Sequence, residues 1–404
     1  MLLTITQRDS SWLAPLIAPV SPDDFIRSYW TAQHLFCRGE SNRFAHLLSW
    51  GELNEILEHH WREVYRFRLA RQGRDLEPAS YADLGGYTPR VRARDVTDHL
   101  RRGATLSFDA IDELHPPLTR LAESFEACFR GGTKINIYAG WRALHGLDLH
   151  RDKQEIFIFQ LDGRKRWLIY GLTFDDVDLG ELRSRSVPPA GALLDQVLAP
   201  GDVLYIPRGC YHVALPMNEP TLHLTIGVKL PRGRDILDWL SGRAESVANR
   251  NVPTVGDVAE RRRFSTDLRE SAAAGLSDDL VEQYLTESGS NSKPRPSFSL
   301  PFSATDEGLP PGRDFVVRLN PPIPTIVSGS EVATLEWRCG ARVCRFPRSM
   351  RWIVTALADS AAWPFSQLVD AVSAHLDESS VRFLLGMLVS ENLIAIRHSS
   401  RAER

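Results

Sequence analysis

Two His-to-Asp pairs stand close together in the stretch "LHGLDLHRDKQEIFIFQ", residues 144–160. His145 precedes Asp148 by three positions, whereas His150 precedes Asp152 by two. Successive side chains of an extended chain point to opposite faces, so only residues two apart point the same way. We therefore expect His150 and Asp152 to converge on one point, as two ligands of a metal ion would. We place His145 in the loop that precedes them.

A third candidate ligand follows a second apolar segment. "GDVLYIPRGCYHVALP", residues 201–216, predicts a strand, a Pro-Arg-Gly turn and then His212. Two histidines and one carboxylate can occupy one face of a metal ion and leave other positions open, as in non-haem Fe(II) oxygenases. A β-barrel can bring such distant segments together, because its neighbouring strands need not be close in sequence. A lone histidine is more often a structural residue, so the prediction depends on the joint pattern.

A lysine is predicted on an apolar strand face close to these residues. In "RKRWLIY", residues 164–170, alternation places Lys165 on the same face as Trp167. An unpaired ammonium group would be costly to bury. A bound carboxylate, such as the far carboxylate of 2-oxoglutarate, would offset that cost. The alternative is a lysine at the barrel mouth with its ammonium group in water. Trp167 itself is assigned to the core or the barrel rim.

Two further strands have polar side chains on one face. Asn136 and Tyr138 share a face in "TKINIYAG", and His223 and Thr225 share one in "TLHLTIGVKLP". Polar positions that face a barrel interior indicate a ligand cavity, whereas on the outer face they would only be solvated. Glu155 near the mouth is interpreted as a surface charge.

Helical and strand patterns divide the chain into regions. Asp162-Gly163, between two apolar runs, indicates a hairpin. Near the C-terminus three helical patterns and a strand indicate a winged helix. We predict a catalytic domain with N-terminal helices over residues 1–230, a helical segment over 231–287, a Ser-, Pro- and Gly-rich linker over 288–312 and a winged-helix-like domain over 313–404.

The composition is that of an ordinary globular protein. A net charge of −3 with 25% charged residues gives no overall attraction to nucleic acid or to an anionic membrane. We find neither a signal peptide nor a run of 18 apolar residues, so no membrane span is expected. The 5 cysteines are odd in number and scattered, which favours a reduced, cytoplasmic setting.

The motifs together resemble those of the JmjC-type ribosomal oxygenases, cupin-like protein hydroxylases that depend on 2-oxoglutarate and Fe(II). The resemblance is detailed over residues 20–230 and extends in architecture to the end of the chain. It implies an α+β fold built on a double-stranded β-helix, a jelly-roll barrel of the JmjC/cupin type. It also implies N-terminal helices, a helical segment that pairs two subunits into a homodimer, and a C-terminal winged helix. An intrachain helical cap is the alternative for the helical segment.

The resemblance assigns roles to the candidate residues. His150, Asp152 and His212 correspond to the catalytic iron ligands. The predicted 2-oxoglutarate residues are Lys165, Asn136, Tyr138, His223 and Thr225. The loop "AGWRALHGLDLH", residues 139–150, departs from the family pattern through its extra His145 and Asp148, which leaves the choice of substrate open.

The implied function is hydroxylation of an amino-acid side chain in a protein or peptide, with a ribosomal protein as one candidate. One alternative is an oxygenase of a small molecule, a biosynthetic peptide or tRNA. Others are a catalytically silent binding module and a different metal-dependent cupin enzyme. Lys165 would have no use in such a cupin enzyme.

Four arginines lie near the winged helix: Arg342, Arg345, Arg348 and Arg351. They could contact phosphates, but the overall charge favours contacts with protein or domain packing.

Overall fold

The chain forms two compact units, one of which comprises Asp9–Leu230 and the other of which begins at Pro231. No helix in the part of the chain described here is long and apolar enough to cross a membrane. The structure, a computed structural model, describes residues 12–85, 87–144, 146–172, 191–243, 250–254, 258–274, 276–287, 297–305, 308–320, 325–327, 334–339, 342–358 and 362–398.

Short helices and many strands alternate in the first unit. The helices are α1 (Ala14–Ile17), α2 (Pro22–Ser28), α3 (Trp50–His59), α4 (Ala93–Arg101) and α5 (Pro116–Phe129). The strands are β1 (Leu35–Cys37), β2 (Phe67–Arg71), β3 (Arg74–Asp75), β4 (Ala82–Asp83), β5 (Arg90–Val91), β6 (Thr105–Phe108), β7 (Gly132–Gly140), β8 (Glu155–Asp162), β9 (Lys165–Leu172), β10 (Leu194–Leu198), β11 (Val203–Ile206), β12 (Cys210–Pro216) and β13 (Thr221–Lys229).

Local sequence signals explain where two of the helices begin. Ser21 caps α2 by accepting a hydrogen bond from the Asp24 N–H. Ser49 caps α3 through a capping box, in which its side chain accepts from the Glu52 N–H while the Glu52 carboxylate accepts from the Ser49 N–H. Each such cap satisfies N–H groups that have no partner within the helix.

Two antiparallel sheets form the barrel of this unit. The larger sheet has the strand order β1-β11-β8-β13-β7-β6-β2-β3, and the smaller has the order β10-β9-β12. Side chains of the two sheets meet in the interior, where Trp167 of β9 lies edge-on to His223 of β13 at 5.6 Å. Phe157 and Phe159 of β8 point away from this interior and pack on the helices. Both faces of β8 are therefore buried, which explains its nearly continuous apolar run.

The hairpin predicted at Asp162-Gly163 is wrong. A turn is present, and Gly163 adopts a φ of 61°, but β8 pairs with β11 and β13 whereas β9 pairs with β10 and β12. The turn thus carries the chain from one sheet to the opposite one. An Asp-Gly turn is compatible with either connection, and only non-local pairing decides between them.

The second unit contains helices and, among the described residues, two three-stranded sheets. Its helices are α6 (Gly233–Arg243), α7 (Val258–Ala274), α8 (Leu280–Glu287), α9 (Met350–Ala358), α10 (Phe365–Val372) and α11 (Glu378–Ser390). Its strands are β14 (Phe315–Leu319), β15 (Thr325–Val327), β16 (Thr334–Cys339), β17 (Arg342–Pro347), β18 (Trp363–Pro364) and β19 (Ile394–His398). An apolar core joins α9, α10 and α11 to the sheet β18-β14-β19.

Part of the segment predicted as a linker is packed. Residues 288–296 and 306–307 lie outside the described residues. Ser299 is buried and accepts a hydrogen bond from the Ile396 N–H at 2.9 Å, and Leu309 belongs to the apolar core of this unit. The Ser- and Pro-rich composition therefore does not mark a solvent-exposed chain throughout.

Candidate metal and co-substrate site

The three predicted metal ligands converge in the first unit. His150 forms an isolated antiparallel bridge with His212 of β12, and the two backbones exchange N–H···O bonds of 3.1 and 2.9 Å. Asp152 Oδ2 lies 3.6 Å from His212 Nε2. One ligand atom from each of the three residues lies within 4.8 Å of the others. His145 is outside the described residues.

Both histidines are held with Nε2 available as a ligand atom. His150 Nδ1 donates to the Asp148 carbonyl at 2.8 Å, and His212 Nδ1 donates to the Cys210 carbonyl at 3.0 Å. A carbonyl only accepts, so each Nδ1 carries the proton and leaves the lone pair on Nε2. Burial, followed by the proximity of His150, lowers the pKa of His212 to about 4. The set of two imidazole rings and one carboxyl group fits a divalent iron ion.

Lys165, the first residue of β9, is buried with only 5% of its surface exposed. The alternative of an ammonium group in water at the barrel mouth is therefore wrong. Burial lowers the pKa of Lys165 to about 7. Within the described residues no acidic side chain pairs with its Nζ, which lies 5.9 Å from the centre of the Trp167 ring.

Two further buried nitrogen atoms lie beside Lys165 without a hydrogen-bond partner among the described residues. They are Nε1 of Trp167 and Nδ1 of His223. Burial and the nearby Lys165 ammonium group hold the pKa of His223 well below its usual value. Because unpaired buried polar groups are costly, a cluster of them indicates a binding site for a polar ligand. An ammonium group with neighbouring N–H donors suits a carboxylate.

The wall of this cavity runs along β13 and β7. Tyr138 pairs with His223 in register, and their rings stack at 5.2 Å. Asn136 pairs with Thr225 one step along the same face. Burial raises the pKa of Tyr138, to which the Asp152 carboxylate also contributes. The predicted cavity-lining positions therefore lie on one face. His223 is within electrostatic reach of Lys165, and the Tyr138 hydroxyl is within electrostatic reach of Asp152.

The side chain of Asn136 also has a structural contact. Its Oδ1 accepts a hydrogen bond from the Ala110 N–H at 3.0 Å. Ala110 has a φ of 55°, in the left-handed region, at the turn that follows β6. Asn136 thus holds this turn against β7 with its carbonyl oxygen.

Sequence reasoning missed three residues of the site. Trp167 was assigned to the core or barrel rim, yet its ring lies 6.1 Å from that of His212. Ser107 of β6 pairs with Tyr138, and Arg68 of β2 pairs with Ser107, so both continue the polar row that begins at His223. No sequence signal links Arg68 to ligands more than 80 positions later, because only the strand order places them together.

Glu155 is a buried residue, so its interpretation as a surface charge is wrong. The Tyr205 hydroxyl donates to Glu155 Oε2 at 2.5 Å, and the Arg208 N–H donates to the same oxygen at 3.3 Å. The Thr31 N–H in turn donates to the Tyr205 hydroxyl at 2.8 Å. Burial raises the pKa of Glu155. These contacts tie the start of β8 to the Pro-Arg-Gly turn that precedes His212.

Comparison with known families identifies the class of domain. Residues 113–236 match the family model described as "JmjC domain". This span includes the metal triad, Lys165 and the β7–β13 wall. The chain therefore contains a JmjC domain.

Curated relatives of the chain include proteins named as ribosomal oxygenases and as a bifunctional demethylase and hydroxylase. Ribosomal oxygenase 2 of Rattus norvegicus is 29% identical over 287 residues, which is 67% of this chain and 59% of the relative. Ribosomal oxygenase 1 of Gallus gallus is 29% identical over 52% of this chain and 35% of its own length. The bifunctional lysine-specific demethylase and histidyl-hydroxylase NO66 of Dictyostelium discoideum is 26% identical over 59% of this chain and 46% of its own length. The chain thus spans about half the length of the relatives it matches.

Solved structures share the fold over most of the chain. The Escherichia coli ribosomal oxygenase YcfD aligns with a TM-score of 0.58 and 19% identity, covering 94% of this chain and 98% of the other. The same protein in complex with cobalt and 2-oxoglutarate aligns with a TM-score of 0.59 at 19% identity, over 94% and 99% of the two chains. The chain thus has the JmjC/cupin fold, with mixed helices and sheets.

Proposed function

We propose that this protein is a 2-oxoglutarate- and Fe(II)-dependent oxygenase that hydroxylates an amino-acid side chain in a protein or peptide. One juxtaposition carries the proposal. The Trp167 ring separates a metal-ligand triad from a buried lysine that has no acidic partner in the described part of the chain. The ring lies 6.1 Å from the His212 ring and 5.9 Å from the Lys165 Nζ. A silent binding module or another cupin enzyme would have no use for this lysine.

Each group has a defined role in this proposal. His150, Asp152 and His212 hold Fe(II) through two Nε2 atoms and one carboxylate oxygen. With 2-oxoglutarate and O2, such an iron supplies oxidation of a C–H bond coupled to decarboxylation of the 2-oxo acid to succinate. Lys165 binds the far carboxylate of 2-oxoglutarate in a site shielded from water, where the attraction between unlike charges is strong.

The remaining polar residues orient the bound molecules. Trp167 Nε1 and His223 Nδ1, which have no hydrogen-bond partner among the described residues, lie close to Lys165 and can donate to the bound carboxylate. Asn136, Tyr138 and Thr225 form the opposite wall, and the Tyr138 hydroxyl extends toward the metal end. These residues hold 2-oxoglutarate and the substrate side chain in fixed positions. Their reaction then behaves as a unimolecular step and no longer requires a random encounter.

A polypeptide substrate is supported by the relatives. They are named as ribosomal oxygenases and as a histidyl-hydroxylase, so we propose a ribosomal protein as the first candidate substrate. Arg68 and Ser107 continue the polar row beyond Tyr138, on the side away from Lys165. We assign these two residues to the substrate side of the cavity.

The rest of the chain is proposed to support this activity. We propose that residues 231–287 pair two subunits and that residues 313–404 form a winged helix, in keeping with three helices packed on the sheet β18-β14-β19. The outer face of α11 exposes Phe383 at 67%, and Arg345 of β17 pairs with Glu336 at 3.2 Å. Arg351 lies over the Trp352 ring at 4.2 Å. These contacts favour binding of protein over phosphate. The burial of four cysteines suits a cytoplasmic setting: Cys37, Cys128, Cys210 and Cys344.

Anaerobic visible spectroscopy tests the assignment. Fe(II) and then 2-oxoglutarate are added to the wild type, to His150→Ala and to His59→Ala, a control at an exposed histidine of α3. A weak charge-transfer band is expected in the wild type and the control and is expected to be lost in His150→Ala. Folded wild type that binds iron but gives no band would refute the use of 2-oxoglutarate.

The substrate class needs a separate assay. Ribosomal proteins, small basic peptides and tRNA are incubated with the enzyme, Fe(II), 2-oxoglutarate and O2, and mass spectrometry detects an added oxygen atom. Oxygen added to a protein or peptide supports the proposal. Oxygen added only to tRNA would support an oxygenase activity and would contradict the proposed protein or peptide substrate.

A further inference from the structure

A cavity of about 930 Å³ lies in the first unit, on the face of the large sheet opposite the metal site. Its floor includes Phe67 of β2 with Leu106 and Phe108 of β6. These side chains alternate along their strands with Arg68 and Ser107, which face Tyr138 and the barrel interior. Neighbouring residues of a strand point to opposite faces. The cavity is therefore separate from the 2-oxoglutarate site.

Helices α3 and α4 form the walls of this cavity, and tryptophans line it. Trp50 and Trp61 belong to α3 and the segment after it, and Trp141 follows β7. The Trp50 and Trp141 rings lie 5.6 Å apart. Trp50 Nε1 donates to Asp162 Oδ2 at 2.5 Å, which holds this indole in place. A volume of this size and an apolar, aromatic lining are typical of sites for small organic ligands.

One side of the cavity mouth is positively charged. Arg101 at the end of α4 and Arg142 beside Trp141 both line it and are exposed. They are neighbours, because Arg142 Nε donates to the Arg101 carbonyl at 3.4 Å. Arg101 also pairs with Asp98 at 3.2 Å, and Glu58 lies on the facing helix, α3. An anionic group is thus favoured on the side of α4 and Arg142.

We propose that this cavity binds an amphipathic organic anion. Its flat apolar body packs between Trp50, Trp141 and the floor, and its carboxylate, sulfonate or phosphate lies at Arg142. Aromatic walls bind flat rings through large contact areas and favourable ring geometry. The positive charge at the mouth favours an anion over a neutral molecule of the same shape, because the attraction between opposite charges is stronger where water is partly excluded.

The first test locates the site. The full chain is titrated with 8-anilinonaphthalene-1-sulfonate, an aromatic anion, first without and then with excess 2-oxoglutarate. Thr97→Trp places an indole in the cavity from an exposed position of α4, and Arg94→Trp adds the same group outside it. We expect one bound dye, an affinity reduced about tenfold or more by Thr97→Trp, and no loss with Arg94→Trp. Equal affinities of these two variants, or displacement of the dye by 2-oxoglutarate, would overturn the site.

The second test examines the charge. Arg142→Glu is compared with Arg94→Glu, using the sulfonate dye and the neutral probe N-phenyl-1-naphthylamine. Arg142→Glu is expected to weaken binding of the sulfonate several-fold and to leave the neutral probe unchanged, while Arg94→Glu changes neither. If the wild type prefers the neutral probe, or if Arg142→Glu affects both probes alike, the ligand class is wrong and the cavity serves a neutral molecule or an apolar side chain of a partner.

Discussion

Replacing Lys165 with methionine is expected to abolish 2-oxoglutarate binding and to stabilise the ligand-free protein. Methionine keeps an unbranched stem in the same space and removes the buried charge. Burial lowers the pKa of Lys165 from 10.5 to about 7, so the folded state binds this proton more weakly than the unfolded state does. The resulting cost to folding is fully present below about pH 7, decreases as the pH rises toward 10.5, and is absent above it.

The difference between these two pKa values sets the size of the effect. A drop from 10.5 to about 7 corresponds to an upper limit of about 5 kcal/mol in the free energy of unfolding. Lys165→Met should therefore raise the free energy of unfolding by up to that amount near neutral pH, and by much less near pH 10. A bound carboxylate offsets the same cost in the wild type, so the lysine is retained for binding at the expense of stability.

Urea unfolding of metal-free protein at about pH 6.5 and about pH 10 measures the stability difference, and titration calorimetry measures 2-oxoglutarate binding. Lys229→Met, at an exposed position at the end of β13, is the matched control and should change neither quantity. Two results would refute the reasoning. One is a Lys165→Met variant that is less stable than the wild type near neutral pH. The other is a variant that still binds 2-oxoglutarate with wild-type affinity.

Three further perturbations follow from the structure. Asp152→Ala should abolish the stabilisation by Co²⁺, which in the wild type amounts to about 2.7 kcal/mol at 100 times the Kd. If Co²⁺ raised the Tm of this variant as much as that of the wild type, the ligand assignment would be wrong. Tyr205→Phe removes the hydroxyl donor of the buried Glu155 carboxyl and should lower the free energy of unfolding by about 1–3 kcal/mol, measured in urea. Gly163→Ala places a methyl group 1.9 Å from the Pro220 carbonyl oxygen at a positive φ, so Tm should fall, and an unchanged Tm would exclude strain at this turn.

Short-range patterns predicted much of the site. His150 and Asp152 converge as their spacing indicates, and Lys165 shares an inward face with Trp167. The alternation of strand faces is a local property of extended backbone, so it can be read before the partners of a strand are known. The placement of His212 beside His150 was a hypothesis from the joint motif, and the structure brings the two together.

Other features depended on which strands pair. The Asp162-Gly163 turn looked like a hairpin but joins opposite sheets, and Glu155 looked like a surface charge but lies buried beneath Tyr205. Arg68 reaches the site only because β2 and β6 extend the large sheet beyond β7. Pairing of this kind links residues far apart in sequence, and the free energy that decides it comes from burial of whole sheet faces rather than from any local preference.

The sequence by itself determined the type of chemistry: two histidines and a carboxylate for a metal, and a lysine on an apolar face for an anion. Both assignments depend on residue types and on two-residue spacings, which are the same whatever fold the chain adopts. The tertiary structure alone decided that Lys165 is buried with no acidic partner among the described residues, and that Trp167 lies between it and His212. It also placed a second cavity behind the sheet. Burial and distance exist only once both sheets have closed on each other, because each residue's surroundings are supplied by distant parts of the chain.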